Sequence, residues 1–186
     1  MKKLAVMVGI IVMLLALIAY PAAAIQTFII VYDFPGNFAG GQEAVSGLTV
    51  AGESLYSLGK VVTLGYGVEV PVHMINPPEV FGFVPAFGII KVAPFGASFP
   101  MDFTVRAGYS FLTGDHAYAD TATLKGGLYY GYGLGYYLQR DKEEGSFSKL
   151  ELLYSVCNGT RTVGTIARDI TYSRFSILIS FGYESL

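Results

Sequence analysis

The chain has 186 residues, enough for one domain with a real core; 14% are charged, 15% are aromatic and 23 are glycine. That balance excludes a disordered chain, which needs low hydrophobicity and high charge. A formal net charge of −2 with no basic block excludes a nucleic-acid partner, and a single cysteine, Cys157, excludes an intramolecular disulfide and zinc-type Cys/His spacing.

Residues 1–24 form a separate object. Lys2 and Lys3 give a basic start, residues 4–19 an apolar run, and Pro21-Ala22-Ala23-Ala24 a small-residue close. This is the layout of a cleavable signal peptide with Ala22-x-Ala24 at the cleavage site, in preference to an uncleaved anchor that would just reach across a bilayer. Beyond residue 25 no apolar run approaches the ~20 residues of a membrane helix. If the remainder, 25–186, lives in a membrane, a closed barrel is the one remaining solution, because every backbone polar group must be paired there.

The segments after residue 25 follow a period of two, the signature of strands. Thr27–Asp33 is β-rich with blurred parity and stops at Pro35-Gly36. Leu48, Val50 and Gly52 then oppose Thr49, Ala51 and Glu53, and residues 57–60 make a short turn. In 60–72, Val62, Leu64, Tyr66, Val68, Val70 and Val72 face one way, with Thr63, Gly65, Gly67, Glu69 and Pro71 opposite. Residues 80–92 are ambiguous. Phe81 and Phe83 share a face, and a bulge at Pro85 would switch parity and put Lys91 inside, whereas without a bulge Lys91 faces outward near a strand end, where it could snorkel. Phe103, Val105, Ala107, Tyr109 and Phe111 next oppose Thr104, Arg106, Gly108 and Ser110.

The clearest alternation is residues 124–138. Leu128, Tyr130, Tyr132, Leu134, Tyr136 and Leu138 form one face; Lys125, Gly127, Tyr129, Gly131, Gly133, Gly135 and Tyr137 form the other. The charged 141–146 is a turn. Leu150, Leu152, Tyr154 and Val156 oppose Glu151, Leu153, Ser155 and Cys157, and Phe175, Ile177, Ile179, Phe181 and Tyr183 alternate with Arg174, Ser176, Leu178, Ser180 and Gly182.

Eight such strands, apolar on one side and small or polar on the other, predict an all-β, eight-stranded antiparallel up-and-down transmembrane barrel. The loops at 35–44, 75–79, 113–123 and 158–169 fall at one end, the shorter turns at the other. An eight-stranded interior is just wide enough for side chains to fill, and buried charges persist when paired. Glu53, Glu69, Arg106, Lys125 and Glu151 are therefore expected to form an interior polar network, structural or pore-lining, with Lys91 added if parity places it inside.

Residues 127–137, Gly-Leu-Tyr-Tyr-Gly-Tyr-Gly-Leu-Gly-Tyr-Tyr, followed by Leu-Glu-Leu-Leu-Tyr-Ser at 150–155 and Tyr-Ser-Arg-Phe-Ser-Ile-Leu-Ile-Ser-Phe-Gly-Tyr at 172–183, resemble the small outer-membrane β-barrels. These are the relatives of outer membrane protein X and of the membrane domain of outer membrane protein A. The resemblance implies an outer-membrane location and a structural or surface-interaction role through the loops. It also implies partners in outer-membrane lipid and in the barrel-assembly machinery, which reads the final strand. That strand departs from the usual aromatic ending, with Phe181 and Tyr183 standing just before Glu184-Ser185-Leu186.

No catalytic residue, cofactor or metal is expected. A lipid-modifying barrel would need a nucleophile and base at one height, and the two histidines, His73 and His116, read as strand-end and loop residues. The alternatives are a narrow pore for small or apolar solutes, a lipid-modifying enzyme, and a soluble lipocalin-like binder with its apolar side inward.

Overall fold

The computed structural model describes residues 25–38, 46–74, 81–95, 99–114, 122–141 and 144–184. The expected signal peptide, His116 and most of the loop residues 35–44, 75–79 and 113–123 lie outside them. Among the described residues nine strands run in order: β1 (Ile25–Asp33), β2 (Asn37–Phe38), β3 (Gly47–Leu58), β4 (Val62–Met74), β5 (Phe81–Val92), β6 (Met101–Gly114), β7 (Ala122–Arg140), β8 (Ser146–Val163) and β9 (Ile166–Glu184). Each long strand pairs antiparallel with the next, and β1 pairs with β9 from Ile25↔Glu184 to Asp33↔Ser176. The eight long strands therefore form a closed up-and-down barrel with no free edge. The two-residue β2 continues the line of β1 along β9, opposite Tyr172 and Ser173.

The barrel is apolar outside. Phe28, Phe103, Val105, Phe111, Leu128, Tyr132, Leu152, Phe175 and Phe181 are each half exposed or more. In a water-soluble barrel this surface would be the wrong way out; a sheet that faces lipid requires it, which removes the lipocalin-like alternative. Aromatic cross-strand pairs tie the outer face together. Tyr132, Tyr154 and Phe175 form one row over β7, β8 and β9, with ring centroids 5.4 and 5.0 Å apart.

The blurred first strand resolves cleanly, with Thr27, Ile29, Val31 and Asp33 inward and Phe28, Ile30 and Tyr32 outward. In β5 the pairing to β6 runs without a shift from Phe81↔Gly114 to Val92↔Phe103. Of the two readings left open for this strand, the one without a bulge at Pro85 holds, yet Phe83, Phe87, Ile89 and Lys91 are all buried on the inner face. Lys91 is inside because the whole strand, Phe83 included, has the opposite parity to the one its phenylalanines suggest.

Two further expectations change. Residues 158–169 are not a loop: β8 and β9 pair continuously to Val163↔Ile166, and the connection is Gly164 and Thr165. Gly164 has φ +60°, the left-handed conformation that a two-residue hairpin turn needs. The other change is a bulge in β7, where Gly126 pairs with Gly159 but Tyr129 pairs with Cys157, leaving Gly127 and Leu128 opposite Asn158. An added Cβ at Gly127 would stand 2.9 Å from the Asn158 carbonyl oxygen, so the bulge rests on a glycine. Asn158 Nδ2 donates to the Leu128 carbonyl at 3.0 Å and fixes the kink. The bulge inverts parity below residue 127: Leu124 packs against the interior cluster, while Lys125 is exposed.

Candidate functional site: the charged interior

Among the described residues, every long strand except β7 contributes a buried charged side chain to the middle of the lumen: Asp33, Glu53, Glu69, Lys91, Asp102, Arg106, Lys149, Glu151 and Arg174. There β7 supplies space. Its inward glycines Gly131, Gly133 and Gly135 leave room for charges reaching across from β6 and β8. A Cβ at Gly133 would lie 3.3 Å from Glu151 Oε1. One at Gly135 would overlap the Lys149 side chain, 1.9 Å from its Cε.

At the centre is Arg106, with no solvent exposure. Its Nη1 donates to Glu69 Oε1 at 2.7 Å, and its Nη2 donates to Glu53 Oε1 at 2.8 Å and Glu151 Oε1 at 3.1 Å. The guanidinium also lies 5.0 Å from the centroid of the Phe87 ring, a cation–π contact. On one side Glu151 Oε2 accepts from Lys149 Nζ at 2.9 Å, and Lys149 donates again to both oxygens of Asp102, at 2.6 and 2.9 Å. On the other side Glu69 Oε2 accepts from Arg174 Nη2, while Arg174 Nη1 donates to Asp33 Oδ2 at 2.7 Å. Thr49 and Ser176 hydroxyls complete Asp33, at 2.7 and 2.6 Å. Lys91 Nζ donates to Glu53 Oε2 at 2.6 Å, and Tyr129 Oη to Glu69 Oε1 at 3.3 Å.

The result is one unbroken chain of ion pairs, Asp102–Lys149–Glu151–Arg106–Glu69–Arg174–Asp33, crossing the lumen obliquely with Lys91–Glu53 as a branch. The side chains in these pairs are at most 7% exposed. Two apolar clusters flank it. Phe83, Phe87, Leu112, Tyr129 and Tyr172 lie in one, with Phe83 and Tyr172 stacked at 6.0 Å; Ile29, Val31, Ala51, Leu153 and Leu178 form the other. Low dielectric on both sides strengthens each pair and raises the penalty for leaving one unmade.

Of the residues expected from sequence, Glu53, Glu69, Arg106 and Glu151 meet here, and Lys125 does not. Four participants were not anticipated. Arg174 alternates with the apolar row of β9 and was legible by parity. Lys149 and Asp102 lie two residues from Glu151 and Thr104 on the same inward faces, just beyond the segments recognised as strand. Asp33 was hidden by the blurred parity of β1. Below the network, at the end where Ile25 and Glu184 pair, the lumen widens into a cavity of about 440 Å³.

For other chemistry, Cys157 is buried within the first apolar cluster. The backbone of His73 pairs with Leu48 near the end of β4. Among the described residues no group of three His, Cys, Asp or Glu side chains is arranged to hold a metal.

No protein-family model matches the chain, and no curated protein matches it in sequence. Solved structures do. The outer membrane protein OprG from Pseudomonas aeruginosa aligns over 88% of this chain and 96% of its own, at 12% identity and a TM-score of 0.52. Outer membrane protein AlkL, solved in DMPC lipid bilayers, aligns over 89% and 91%, at 12% identity and a TM-score of 0.54. At such identity the likeness is one of fold. This chain has the fold of the small outer-membrane β-barrels.

Proposed function

We propose that this chain resides in an outer membrane as a barrel closed by its own side chains, with a structural or surface-interaction role and no catalysis. The observation that carries the reading is the continuous ion-pair chain across the lumen, with apolar side chains packed on both sides. A charged path that conducts ions needs water along it, and here each carboxylate of the network accepts from a cation of the same network. The apolar belt supports a lipid environment, and the strand motifs around 127–137 and 172–183 support kinship with the outer membrane protein X and outer membrane protein A membrane-domain type. On this reading the assembly machinery engages β9, and a surface partner meets the end carrying the β8–β9 turn, where Val163 and Ile166 are 40% and 63% exposed.

Planar-bilayer recording tests the closure. The expected result is no steady conductance from the wild-type protein; a steady channel abolished by Glu69→Ala or Arg106→Ala would overturn it. Semi-native electrophoresis of membrane fractions tests the location, with a band that shifts on boiling expected and a soluble, unshifted one counting against it. The narrow-pore alternative draws on one feature, the unfilled cavity below the network, and the same recording decides it.

A further inference from the structure

The turns at the terminal end of the barrel differ from one another in chemistry. Residues 141–145, between β7 and β8, read Asp-Lys-Glu-Glu-Gly. Asp141 Oδ1 accepts from the Glu144 backbone N–H at 3.1 Å, and Glu144 is exposed. This is the polar turn that a water-facing connection between strands calls for. Residues 93–100, between β5 and β6, read Ala-Pro-Phe-Gly-Ala-Ser-Phe-Pro, without a charge. Phe95 is 68% exposed and Phe99 44%, with their rings edge to face at 5.3 Å. At the neighbouring β3–β4 turn Leu58 is 60% and Val61 43% exposed. The Ala93 N–H donates to the Val61 carbonyl at 2.8 Å, which ties the two turns into one apolar sector of the rim.

Apolar side chains exposed singly need no explanation, but a contiguous group of them does. The strands above this group indicate what covers it. Leu58, Val62, Val92 and Phe103 form the last cross-strand row of β3, β4, β5 and β6 on the outer face, and all four are apolar. The next row, Leu64, Ile90 and Val105, is exposed and belongs to the lipid-facing belt. The belt therefore passes onto the two turns with no polar row between. On β8 the outer face ends instead on Ser146 and Ser148, beside the charged turn. Lys60 is the one charge in residues 59–61 and 93–100, and it does not oppose lipid contact. Its stem can lie on apolar surface while its ammonium meets the headgroups.

We propose that the β3–β4 and β5–β6 turns together form a lipid-interface anchor. Leu58, Val61, Phe95 and Phe99 sit at the boundary between phospholipid headgroups and acyl chains, the level at which aromatic side chains hold membrane proteins in place. The barrel accordingly stands deeper in the terminal-side leaflet along β3–β6 than along β7–β8, whose charged turn stays in water. The inference rests on the reading of the barrel as membrane-embedded, which a position in the belt tests separately.

The chain has no tryptophan, so single substitutions each report one place. Phe95→Trp, Leu58→Trp, Phe103→Trp and Glu144→Trp are folded into phosphatidylcholine vesicles, with folding checked by the band shift on boiling. Emission is quenched from the bilayer by lipid brominated near the top of the acyl chain, and from water by acrylamide. Phe103→Trp, in the belt, is expected to be quenched by the bromolipid; if it is not, the membrane reading fails and the anchor with it. With that quenching in hand, Phe95→Trp is expected to emit to the blue of Glu144→Trp. Its bromolipid quenching should be about twofold or more stronger, and its acrylamide quenching weaker by a similar factor. Leu58→Trp should follow Phe95→Trp, and it reads the same sector if that variant fails to fold. Acrylamide quenching of Phe95→Trp equal to that of Glu144→Trp would overturn the anchor alone. So would shielding of Phe95→Trp and Leu58→Trp from both quenchers, which would mean that a second copy of the chain covers the sector. Bromolipid quenching of Glu144→Trp as strong as that of Phe95→Trp would overturn the difference in depth between the two sides.

Discussion

Lys149 and Lys91 both point into the lower lumen, yet they stand in two different regions. Lys149 belongs to the plug: Asp102 and Glu151 take its donors at 2.6–2.9 Å, and the inward face of β7 is cut back to glycine so that it fits. Lys91 sits at the boundary with the cavity, holding Glu53 with one donor, while Glu53 is also held by Arg106. The same residue type is thus committed in one place and available in the other. The difference lies in how many carboxylates the neighbouring strands present, and in whether the opposite wall is filled. Substitutions that remove one charge at a time should separate the two regions by the size of their effect.

The largest effect is expected at the hub. Arg106→Met leaves Glu53, Glu69 and Glu151 clustered without the guanidinium that joins them, and removing one partner of a buried pair costs about 3–5 kcal/mol. Equilibrium unfolding in urea, read by the boiled-against-unboiled band shift, should show that loss or a failure to fold. Lys149→Met should come next, at about 3 kcal/mol, because Asp102 loses the cation that holds both its oxygens. Gly135→Val probes the same place from the opposite wall. Its side chain would overlap Lys149, and overpacking of this kind costs about 1–3 kcal/mol. If Gly135→Val were neutral, the glycines of β7 would not be the space that the plug occupies.

Lys91→Met should cost less, roughly 1–2 kcal/mol, since Glu53 keeps its bond to Arg106. A cost equal to that of Lys149→Met would erase the distinction between plug and mouth.

The contrast also shows what alternation in a sequence does and does not reveal. Strand existence and most inward faces were legible, because a lipid-facing barrel repeats one apolar pattern around its circumference. The central charges Glu53, Glu69, Arg106 and Glu151 followed from parity alone. What parity cannot supply is the extent of pairing and the places where it slips. Lys149 and Asp102 lay just outside the segments that alternation marked, and residues 158–169 read as a loop because their polar side chains hide a hairpin that continues beyond the apolar belt. The parity of β5 stayed open in the sequence because Phe83 and Phe87 are interior residues packed against Tyr172, Tyr129 and Arg106, and large apolar side chains on the inner face mimic the outer one.

Lys125 is the sharpest case. In a straight strand it would share the inner face with Tyr129, Gly131 and Gly133, and it would then belong to the network. Two adjacent glycines, Gly126 and Gly127, allow the bulge against Asn158 that turns it outward, and nothing in the period of two marks that slip. The smallest effect is therefore expected here: Lys125→Ala should change stability by no more than about 0.5 kcal/mol, the range of exposed positions away from special features. A paired reading fixes its orientation directly. Lys125→Cys, combined with Cys157→Ser, should react in the folded barrel with a membrane-impermeant maleimide, whereas Lys149→Cys in the same background should not. Protection of position 125 would mean that β7 has no bulge and that its charge lies inside. The lumen would then hold a fifth cation, Lys125, beside Lys91, Arg106, Lys149 and Arg174.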